Sequence, residues 1–267
     1  MTIAHISDLH FGRIAASGVL EALVKEINEA VVDLVVLSGD LTQRARPSEY
    51  EAAQDLLATI EAPTLVVAGN HDVYPWWRPL RRLWTPLARY KRSITDDLAP
   101  TFETDAVAVL GLTSAHGATI KGGRITTSDR AAMTDYFSGV DDARFKVLVV
   151  HHPLHPTAIG PISPHPVARH AQKTLDEAAD AGVDLVLSGH LHIPAIKPLS
   201  IIPGEHRIVI ASAGTATSNR YRQPTGPVNF YNVVTVDPDA FSVEERRYVP
   251  AEEQFVRDSV TRFDRAP

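Results

Sequence analysis

The chain has 267 residues and a net charge of −6, which argues against a general nucleic-acid binder. Hydrophobic residues make up 44% of it and charged residues 22%, a composition typical of globular proteins with a sizeable core. It contains no cysteine, so a metal site would have to use histidine, aspartate, glutamate or asparagine. There is no signal-peptide pattern and no apolar stretch of the ~18–20 residues that span a bilayer, so we expect a cytoplasmic protein.

Short apolar runs alternate with helix-like segments along the chain. Five runs predict buried strands, at residues 3–7, 34–38, 64–68, 147–150 and 184–188. Three segments have helical spacing, at residues 18–30, 47–60 and 167–181, with Pro47 at a first helical position and Gly182 as a stop signal. This alternation predicts a largely parallel sheet with right-handed crossovers.

Four further apolar runs look like strands without helices between them, at residues 107–112, 207–211, 230–236 and 242–249. They predict a second sheet that packs against the first. The chain has no repeat, low-complexity tract or linker, so we expect a single domain over residues 1–267.

Polar clusters stand at the carboxyl ends of the five buried strands. They are Asp8-Leu9-His10, Gly39-Asp40, Gly69-Asn70-His71-Asp72, His151-His152-Pro153 and Gly189-His190-Leu191-His192. Ligands of open α/β sheets bind outside these strand ends, so we expect all five clusters to converge on one edge. Their carboxylates, amide and imidazoles suit Mn, Fe or Zn.

The spacing within the clusters has a physical reason. Asp8 and His10 are two residues apart, and so are His190 and His192. In an extended backbone the two side chains of each pair would therefore point the same way. The glycines before Asp40, Asn70 and His190 allow sharp turns and close backbone approach. One carboxylate, for preference Asp40, would bridge two cations about 3.5–4 Å apart.

This ordered series closely resembles the calcineurin-like metallophosphoesterases, whose pattern is DxH, GD, GNH(D/E), HxP and GHxH. Every element is present in order between positions 8 and 192. The resemblance implies an α/β fold, a four-layer α-β-β-α sandwich in which two mixed β-sheets are flanked by helices.

The resemblance also implies a centre of two divalent or trivalent metal ions. One ion would be held by Asp8, His10, Asp40 and His192, and the other by Asp40, Asn70, His151 and His190. His71 would face the substrate and either donate a proton to the leaving oxygen or stabilise the charge that forms there. Of the adjacent histidines His151 and His152, His151 fits the HxP spacing as the metal ligand. His152 is then a candidate second-sphere or substrate contact.

A fuller match is to the bacterial branch that includes the class III cyclic-nucleotide phosphodiesterases. It rests on the segments ISDLHFG at 6–12, SGDLT at 38–42, GGRI at 122–125 and GTATS at 214–218. Arg220 and Arg222 follow the last of these, and they would either hold a phosphate or make surface ion pairs.

Three functions follow. The first is hydrolysis of small-molecule phosphodiesters, cyclic nucleotides among them, by direct attack of a water or hydroxide held between the metals, without a stable nucleic-acid complex. The second is hydrolysis of lipid-linked or other amphipathic phosphates at a membrane surface. The third is a non-catalytic metal-binding scaffold, against which the complete ligand set argues.

Residues 74–91, from Tyr74 to Lys91, are both basic and aromatic. An apolar stripe recurs at helical spacing, formed by Trp76, Leu80, Leu83, Trp84 and Leu87, and six cations surround it, Arg78, Arg81, Arg82, Arg89, Lys91 and Arg92. Such a segment is typical of a peripheral membrane contact. Alternatively, the stripe packs on the core while the arginines attract anionic substrates; Pro79 and Pro86, which interrupt a long helix, favour this second interpretation.

Overall fold

The computed structural model describes residues 1–16, 18–119, 122–156, 167–200, 207–221 and 226–265. In chain order the elements are β1 (Thr2–Ile6), α1 (Val19–Glu29), β2 (Leu34–Leu37), α2 (Pro47–Thr59), β3 (Thr64–Val66), α3 (Pro79–Trp84), α4 (Ala88–Ser93), β4 (Thr101–Glu103), β5 (Val107–Leu112), α5 (Thr127–Ser138), β6 (Phe145–Val150), α6 (Ala171–Asp180), β7 (Leu185–Ser188), β8 (Ala195–Ser200), β9 (Arg207–Ser212), β10 (Phe230–Val236), β11 (Ala240–Val249) and β12 (Gln254–Asp264).

The strands form two six-stranded mixed sheets. The first has the order β12-β11-β10-β1-β2-β3, with β1, β2 and β3 parallel and β10, β11 and β12 antiparallel. The second has the order β4-β5-β6-β7-β9-β8, with a parallel centre and antiparallel edge strands β4 and β8. The predicted α/β class with two mixed sheets is confirmed.

Three apolar layers hold the sheets and helices together. One lies between the sheets and includes Ile3 and Val147. The others bury the outer faces of the sheets under helices, where Ile6 packs in the layer of α1 and α2, and Leu148 in the layer of α5 and α6. The central strands are buried on both faces, which explains why they appear in the sequence as continuous apolar runs. The result is the expected four-layer α-β-β-α sandwich.

The predicted division of the strands between the sheets is wrong. The runs at 147–150 and 184–188 belong to the second sheet beside β5 and β9, whereas β10 and β11 extend the first sheet next to β1. His5 of β1 faces Asn232 of β10 across an antiparallel pair, a contact between residues 227 positions apart. Hydrophobic periodicity identifies a strand but carries no information about such a distant partner.

Several helix boundaries follow from local chemistry. Helix α2 begins at Pro47 as predicted, and Glu49 in its first turn accepts the backbone N–H groups of Arg44 and Arg46 at 2.8 and 3.1 Å. Helix α6 ends just before Gly182, whose φ of 75° is readily adopted by glycine. Within the described residues, no helix has both the length and the apolar character needed to cross a bilayer.

The stripe of residues 74–91 does not pack on the core as the second interpretation required. Of its five members only Leu87 is buried; the short helix α3 exposes Leu80, Leu83 and Trp84, and Trp76 is exposed in the segment before it. Pro79 begins α3 and Pro86 precedes α4, so the prolines do interrupt a long helix. Arg82, one of the six cations expected around the stripe, is buried.

Candidate metal centre

The five polar clusters come together where the carboxyl ends of the two sheets meet. Strands β1, β2 and β3 deliver Asp8, Asp40 and Asn70 from the first sheet, and β6 and β7 deliver His151 and His190 from the second. The expectation of a single sheet edge is therefore wrong, because the cleft is shared by both sheets.

A first group of potential ligands consists of four buried side chains, Asp8, His10, Asp40 and His192, with ligand atoms within 4.8 Å of one another. Nε2 of His192 lies 3.1 Å from Oδ1 of Asp8 and 3.1 Å from Nε2 of His10. Nε2 of His10 lies 3.5 Å from the same aspartate oxygen. These atoms surround one small space.

A second group lies beside the first. Oδ1 of Asn70 is 3.3 Å from Nε2 of His151 and 3.0 Å from Nδ1 of His190. His151, His152 and His190 also have ring nitrogens within 4.8 Å of one another, and all three are buried. The imidazoles and the amide oxygen thus outline a second space.

Asp40 stands between the two groups. Its Oδ2 lies 3.6 Å from Nε2 of His10 in the first group and 3.4 Å from Nε2 of His151 in the second. Its Oδ1 accepts the backbone N–H of His71 at 2.8 Å, which holds the carboxylate in this orientation. Asp40 is the carboxylate that both spaces share.

The backbone of these residues differs from the extended form expected for the two-residue spacings. Asp8, His10, Asp40, His190 and His192 all have positive φ, from 48 to 69°. L-residues rarely adopt this left-handed region, and such strain clusters at functional sites. The paired side chains converge because the chain turns sharply after each strand, not because it stays extended.

Two glycines make the close approach possible. Gly39 has a φ of 98° immediately before Asp40. A Cβ on Gly69 would lie 2.2 Å from Oδ1 of Asp40, so any side chain there would displace the shared carboxylate. The predicted role of the glycines in these loops is confirmed.

Backbone carbonyls fix the ring orientation of two histidines. Nδ1–H of His151 donates to the carbonyl of Ser38 at 2.7 Å, and Nδ1–H of His192 donates to the carbonyl of Arg220. Because a carbonyl only accepts, each ring carries a proton on Nδ1, and in the neutral ring the lone pair of Nε2 points into the cluster. This tautomer is the one that binds metal through Nε2.

The donor set fits cations. Oδ2 of Asp8 accepts from Oγ of Ser7 at 2.7 Å and from the backbone of His190 at 2.8 Å, whereas its buried Oδ1 accepts no hydrogen bond. A buried carboxylate oxygen without a donor requires a positive charge nearby. Oδ1 of Asp8 lies next to Nε2 of His192, which in the neutral ring offers a lone pair and no proton. A cation is therefore the natural partner of both atoms.

The pKa shifts of the aspartates and of His151 also indicate that the cluster favours a cation. Burial alone would raise the pKa of Asp8 and of Asp40. Nearby histidines outweigh this effect: His192 and others hold the pKa of Asp8 well below its usual value, and His151 and others do the same for Asp40. Burial likewise opposes protonation of His151, yet Asp40 outweighs it and raises the pKa of His151 to about 9. The cluster attracts positive charge strongly.

His71 and Arg220 form a pair at the side of the cluster. Nδ1–H of His71 donates to the carbonyl of Gln43 at 2.7 Å, and its Nε2 accepts from Nη1 of Arg220 at 2.6 Å. Burial lowers the pKa of His71, and the charges of Arg220 and Arg44 act in the same direction against the opposing effect of Asp40. In this arrangement His71 accepts a hydrogen bond rather than offering a proton.

The other predicted contacts have different positions. His152 is fully buried, with Nδ1 2.8 Å from Oγ of Ser114 and its ring centroid 4.7 Å from that of His190. Arg222 lies outside the described residues. Arg220 lies beside His71 at the side of the cluster, and its role in holding a phosphate stays a prediction.

Several supporting residues were missed. Oγ1 of Thr215 donates to the carbonyl of Asp8 at 2.7 Å, and Oγ1 of Thr217 to that of Leu9 at 2.9 Å, so the segment at 214–218 fastens the first metal-site loop. Asp72 was not missed: its place beside His71 predicts a loop cap or second-sphere partner rather than a catalyst, and its carboxylate accepts the backbone N–H groups of Gly69 at 2.9 Å and Thr42 at 3.0 Å, which joins two further loops. The segment at 214–218 carried a signal through the resemblance, whereas the carbonyl of Gln43 and the hydroxyl of Ser114 carried none.

Comparison with known proteins agrees with this geometry. The model of a protein family described as calcineurin-like phosphoesterase matches residues 1–194. The chain belongs to this family. The family match covers the five clusters and both groups of potential ligands, and the His/Asp clusters accord with a metal-binding family.

Curated relatives include phosphodiesterases and a pyrophosphatase. The chain is 37% identical over 82 residues to glycerophosphodiester phosphodiesterase GpdQ of Enterobacter lignolyticus, covering 27% of this chain and 30% of that one. It is 32% identical over 80 residues to a probable cyclic nucleotide phosphodiesterase of Synechococcus, covering 27% and 31%. With UDP-2,3-diacylglucosamine pyrophosphatase LpxG of Chlamydia trachomatis the identity is 24% over 223 residues, covering 74% and 65%.

The chain therefore spans less than two thirds of the length of these relatives. Among solved structures, the purple acid phosphatase PPD1 of yellow lupin matches with a TM-score of 0.74 and 11% identity, covering 99% of this chain and 54% of that one. At this identity the similarity concerns the fold alone, and it agrees with the two-sheet architecture.

Proposed function

We propose that the chain is a metal-dependent hydrolase of phosphodiesters with a centre of two metal ions. The observation that carries this proposal is the position of Asp40, whose Oδ2 lies 3.6 Å from His10 Nε2 and 3.4 Å from His151 Nε2. A carboxylate shared by two sets of ligands is the arrangement that a two-metal site requires.

The residues divide between the ions as the family resemblance implies. Asp8, His10, Asp40 and His192 would hold one ion, and Asp40, Asn70, His151 and His190 the other. Nitrogen and oxygen donors of this kind suit Mn, Fe or Zn. When bound, such ions lower the pKa of water, orient phosphoryl oxygens and neutralise developing charge.

The chain's own residues would orient the substrate and stabilise its charge. The guanidinium of Arg220 lies 2.6 Å from Nε2 of His71, so a cation and an imidazole stand together beside the cluster. This contact favours charge stabilisation by the His71–Arg220 pair over proton donation by His71. With no cysteine and no nucleophile elbow, water would attack phosphorus in a single in-line step that inverts its configuration.

A second candidate is the hydrolysis of lipid-linked or amphipathic phosphates. The exposed Trp76 and Trp84 favour it, as does the similarity to a protein named as a diacylglucosamine pyrophosphatase. A non-catalytic scaffold is disfavoured, because the complete set of potential ligands is kept. A cytoplasmic location stays a prediction.

The experiment compares substrates on protein that has been stripped with a chelator and reloaded with Mn, Fe or Zn. Cyclic nucleotides, linear diesters, monoesters and lipid-derived diphosphates are ranked by kcat/KM. We expect chelation to abolish hydrolysis, reloading to restore it, and diesters to rank first. A first rank for lipid diphosphates would establish the second candidate, and metal-independent turnover would refute both.

The role of His71 is tested through the leaving group. If His71 acts through charge stabilisation with Arg220, His71→Ala should lower kcat by about the same factor for nitrophenyl and alkyl esters, within the ~10²–10³ typical of a lost charge-stabilising donor. If the loss is much larger for alkyl esters, His71 donates a proton instead. Metal content of the variant is measured alongside, and should be unchanged.

A further inference from the structure

An exposed apolar surface lies on α3 and the segment before it. Residues 76–85 are all exposed except Arg82. Trp84 is 74% exposed, Leu80 68% and Trp76 67%, values far above those usual for such large apolar side chains. Leu83 and Trp77 complete this surface, which we call the Trp–Arg patch together with Arg78, Arg81, Lys91 and Arg92. Contiguous apolar exposure of this kind marks interaction sites.

The patch is held rigidly from beneath. The buried guanidinium of Arg82 donates to the carbonyls of Tyr74 and Thr119, both at 2.5 Å. The backbone of α3 lies so close to Gly117 that a Cβ there would be 1.8 Å from the carbonyl oxygen of Arg82. The helix therefore buries one of its two arginines and exposes both leucines and its tryptophan, whereas an ordinary surface helix buries its apolar side chains. This exposure is built into the fold.

The patch is also positively charged. Arg78, Arg81, Lys91 and Arg92 are exposed, and the sequence has no acidic residue between Asp72 and Asp96. In the described part of the chain, none of these four cations forms an ion pair with a carboxylate. Because the net charge of the whole protein is −6, this local concentration of positive charge is opposite in sign to the net charge.

We propose that the Trp–Arg patch docks the protein on an anionic lipid bilayer. Tryptophan side chains favour the depth of the headgroups, leucines favour the hydrocarbon below, and arginine and lysine attract anionic headgroups. A protein of net charge −6 is repelled by an anionic bilayer through its other faces, so the patch also fixes its orientation. This inference stands apart from the proposed function, because binding to a bilayer needs no turnover.

Two other occupants fit less well. In a symmetric dimer through the same surface, four unpaired cations of one copy would meet the same four of the other, which repel. A single-stranded nucleic acid would stack its bases on the tryptophans, but it has no use for the exposed Leu80 and Leu83. A bilayer satisfies the aromatic, aliphatic and cationic side chains together.

The patch has two neighbours that bear on its use. Trp84 and Lys91 also line a cleft of about 490 Å³ with Leu87 and Leu112, a volume in the range of ligand sites and with apolar walls suited to an acyl chain. On the other side, the guanidinium of Arg44 lies 5.8 Å from the ring centroid of Trp77, and the carbonyl of the preceding residue, Gln43, accepts from Nδ1 of His71 at 2.7 Å. Docking would therefore place the metal centre beside the lipid surface.

The test uses vesicles of phosphatidylcholine alone and with ~30% phosphatidylglycerol, at low and high salt. The only three tryptophans of the chain, Trp76, Trp77 and Trp84, all lie in the patch, so whole-protein tryptophan fluorescence reports on it without mutation. We expect a blue shift with anionic vesicles, quenching by lipids brominated on the acyl chain, and reversal at high salt, where the Debye length falls to about 3 Å at 1 M.

Two variants separate charge from apolar contact in a sedimentation assay. Arg78→Ser/Arg81→Ser/Lys91→Ser should weaken partitioning into anionic vesicles roughly 100-fold, since each cation near the surface counts for about fivefold. Trp76→Ser/Leu80→Ser/Trp84→Ser should weaken it at least tenfold. The charge control is Lys25→Ser/Lys173→Ser/Arg262→Ser, three exposed cations that pair with carboxylates elsewhere, and the apolar control is Val31→Ser/Val260→Ser.

Loss in both patch variants with retention in both controls supports the proposal. No binding to anionic vesicles at low salt overturns it, as does an equal loss in the charge control. Binding of a single-stranded oligonucleotide without vesicle binding, or a dimer that the apolar variant abolishes, assigns the patch elsewhere and also overturns it. Hydrolysis of bis(p-nitrophenyl) phosphate by metal-loaded protein is measured beside each variant. Vesicle binding without hydrolysis would remove the proposed function while leaving this inference intact.

Discussion

The metal centre and the Trp–Arg patch depart from ordinary burial in opposite directions. In the metal centre, carboxylates and imidazoles that usually lie in water are buried, whereas in the patch large apolar side chains that usually lie in the core are exposed. Both arrangements cost free energy in the isolated chain, and both are held by hydrogen bonds to the backbone. In both regions the fold maintains a burial that is unfavourable for the isolated side chains, and both are the regions for which we propose a function.

The two regions are maintained by similar means. Asp72 holds the loops of the metal centre through backbone N–H groups, and Arg82 holds α3 through backbone carbonyls. Each is a buried ionisable side chain that supports its region through hydrogen bonds to the backbone and forms no part of the exposed surface.

The largest effect is expected at the shared carboxylate. Asp40→Ala should lose both metal ions and reduce kcat/KM by on the order of 10³-fold or more, because several kcal/mol of charge stabilisation depend on the ions. Asn70→Ala should lose chiefly one ion. Metal content is measured by mass spectrometry, with the exposed Asp135→Ala as control. Two ions retained in active Asp40→Ala protein would contradict the two-metal centre.

The next effect concerns the loop anchor. Asp72→Ala would leave the backbone N–H groups of Gly69, Leu41 and Thr42 buried without an acceptor. We expect the free energy of unfolding to fall by roughly 3 kcal/mol, measured by denaturant titration of chelated protein. Asp72→Asn keeps one acceptor and should lose less. A loss below about 1 kcal/mol in Asp72→Ala would mean that these loops are held by other contacts.

A third prediction concerns pH. His5 is fully buried between Ser38 and Asn232, and burial lowers its pKa from 6.5 to about 3. The unfolded chain therefore binds this proton first, so the free energy of unfolding is unaffected above pH 6.5 and falls as the pH decreases towards 3. Between pH 6 and 4, wild type should lose about 1.4 kcal/mol per pH unit more than His5→Asn, measured with chelator present in both. Parallel slopes would show that His5 does not titrate in this range.

The smallest effect is expected on the patch. Leu80→Ala should change the free energy of unfolding by no more than about 0.5 kcal/mol, because the side chain makes few contacts to lose. Leu148→Ala, the same change at a fully buried position, should cost about 2–5 kcal/mol. A large loss for Leu80 would show that the patch is packed in solution and would weaken the contrast between the two regions.

Much of the fold could be predicted from the sequence, but only where the signal is local. The buried parallel strands are found within two residues because they are apolar on both faces, and α2 because Pro47 marks its start. The edge strands β4, β8 and β12 were missed because these three lack a continuous apolar run, and the expected partners of β10 were wrong because pairing depends on distant residues.

The candidate site was predictable to the same extent. Residue types at strand ends revealed the clusters, yet the sequence could not show that two sheets share them. Supporting groups such as the carbonyl of Gln43 or the hydroxyl of Ser7 have no spacing signal, because almost any residue offers a carbonyl and serine is common. Helical spacing also identified the apolar stripe of α3, but it could not show whether the stripe faces the core or the solvent. It faces the solvent because the side chain of Arg82 turns inward and donates to the carbonyl of Tyr74.

The division of the cleft between two sheets has a thermodynamic consequence. Each proposed ion would take ligands from both halves of the sandwich, Asp8, His10, Asp40 and Asn70 from one and His151, His190 and His192 from the other. Binding would then fasten the halves across their shared edge, and linkage makes folding depend on the free ion concentration by about 2.7 kcal/mol at 100 times Kd for one site. The melting temperature of this protein would thus rise with the concentration of free metal ion. Metal-free chains would unfold most readily and would be the most susceptible to proteolysis.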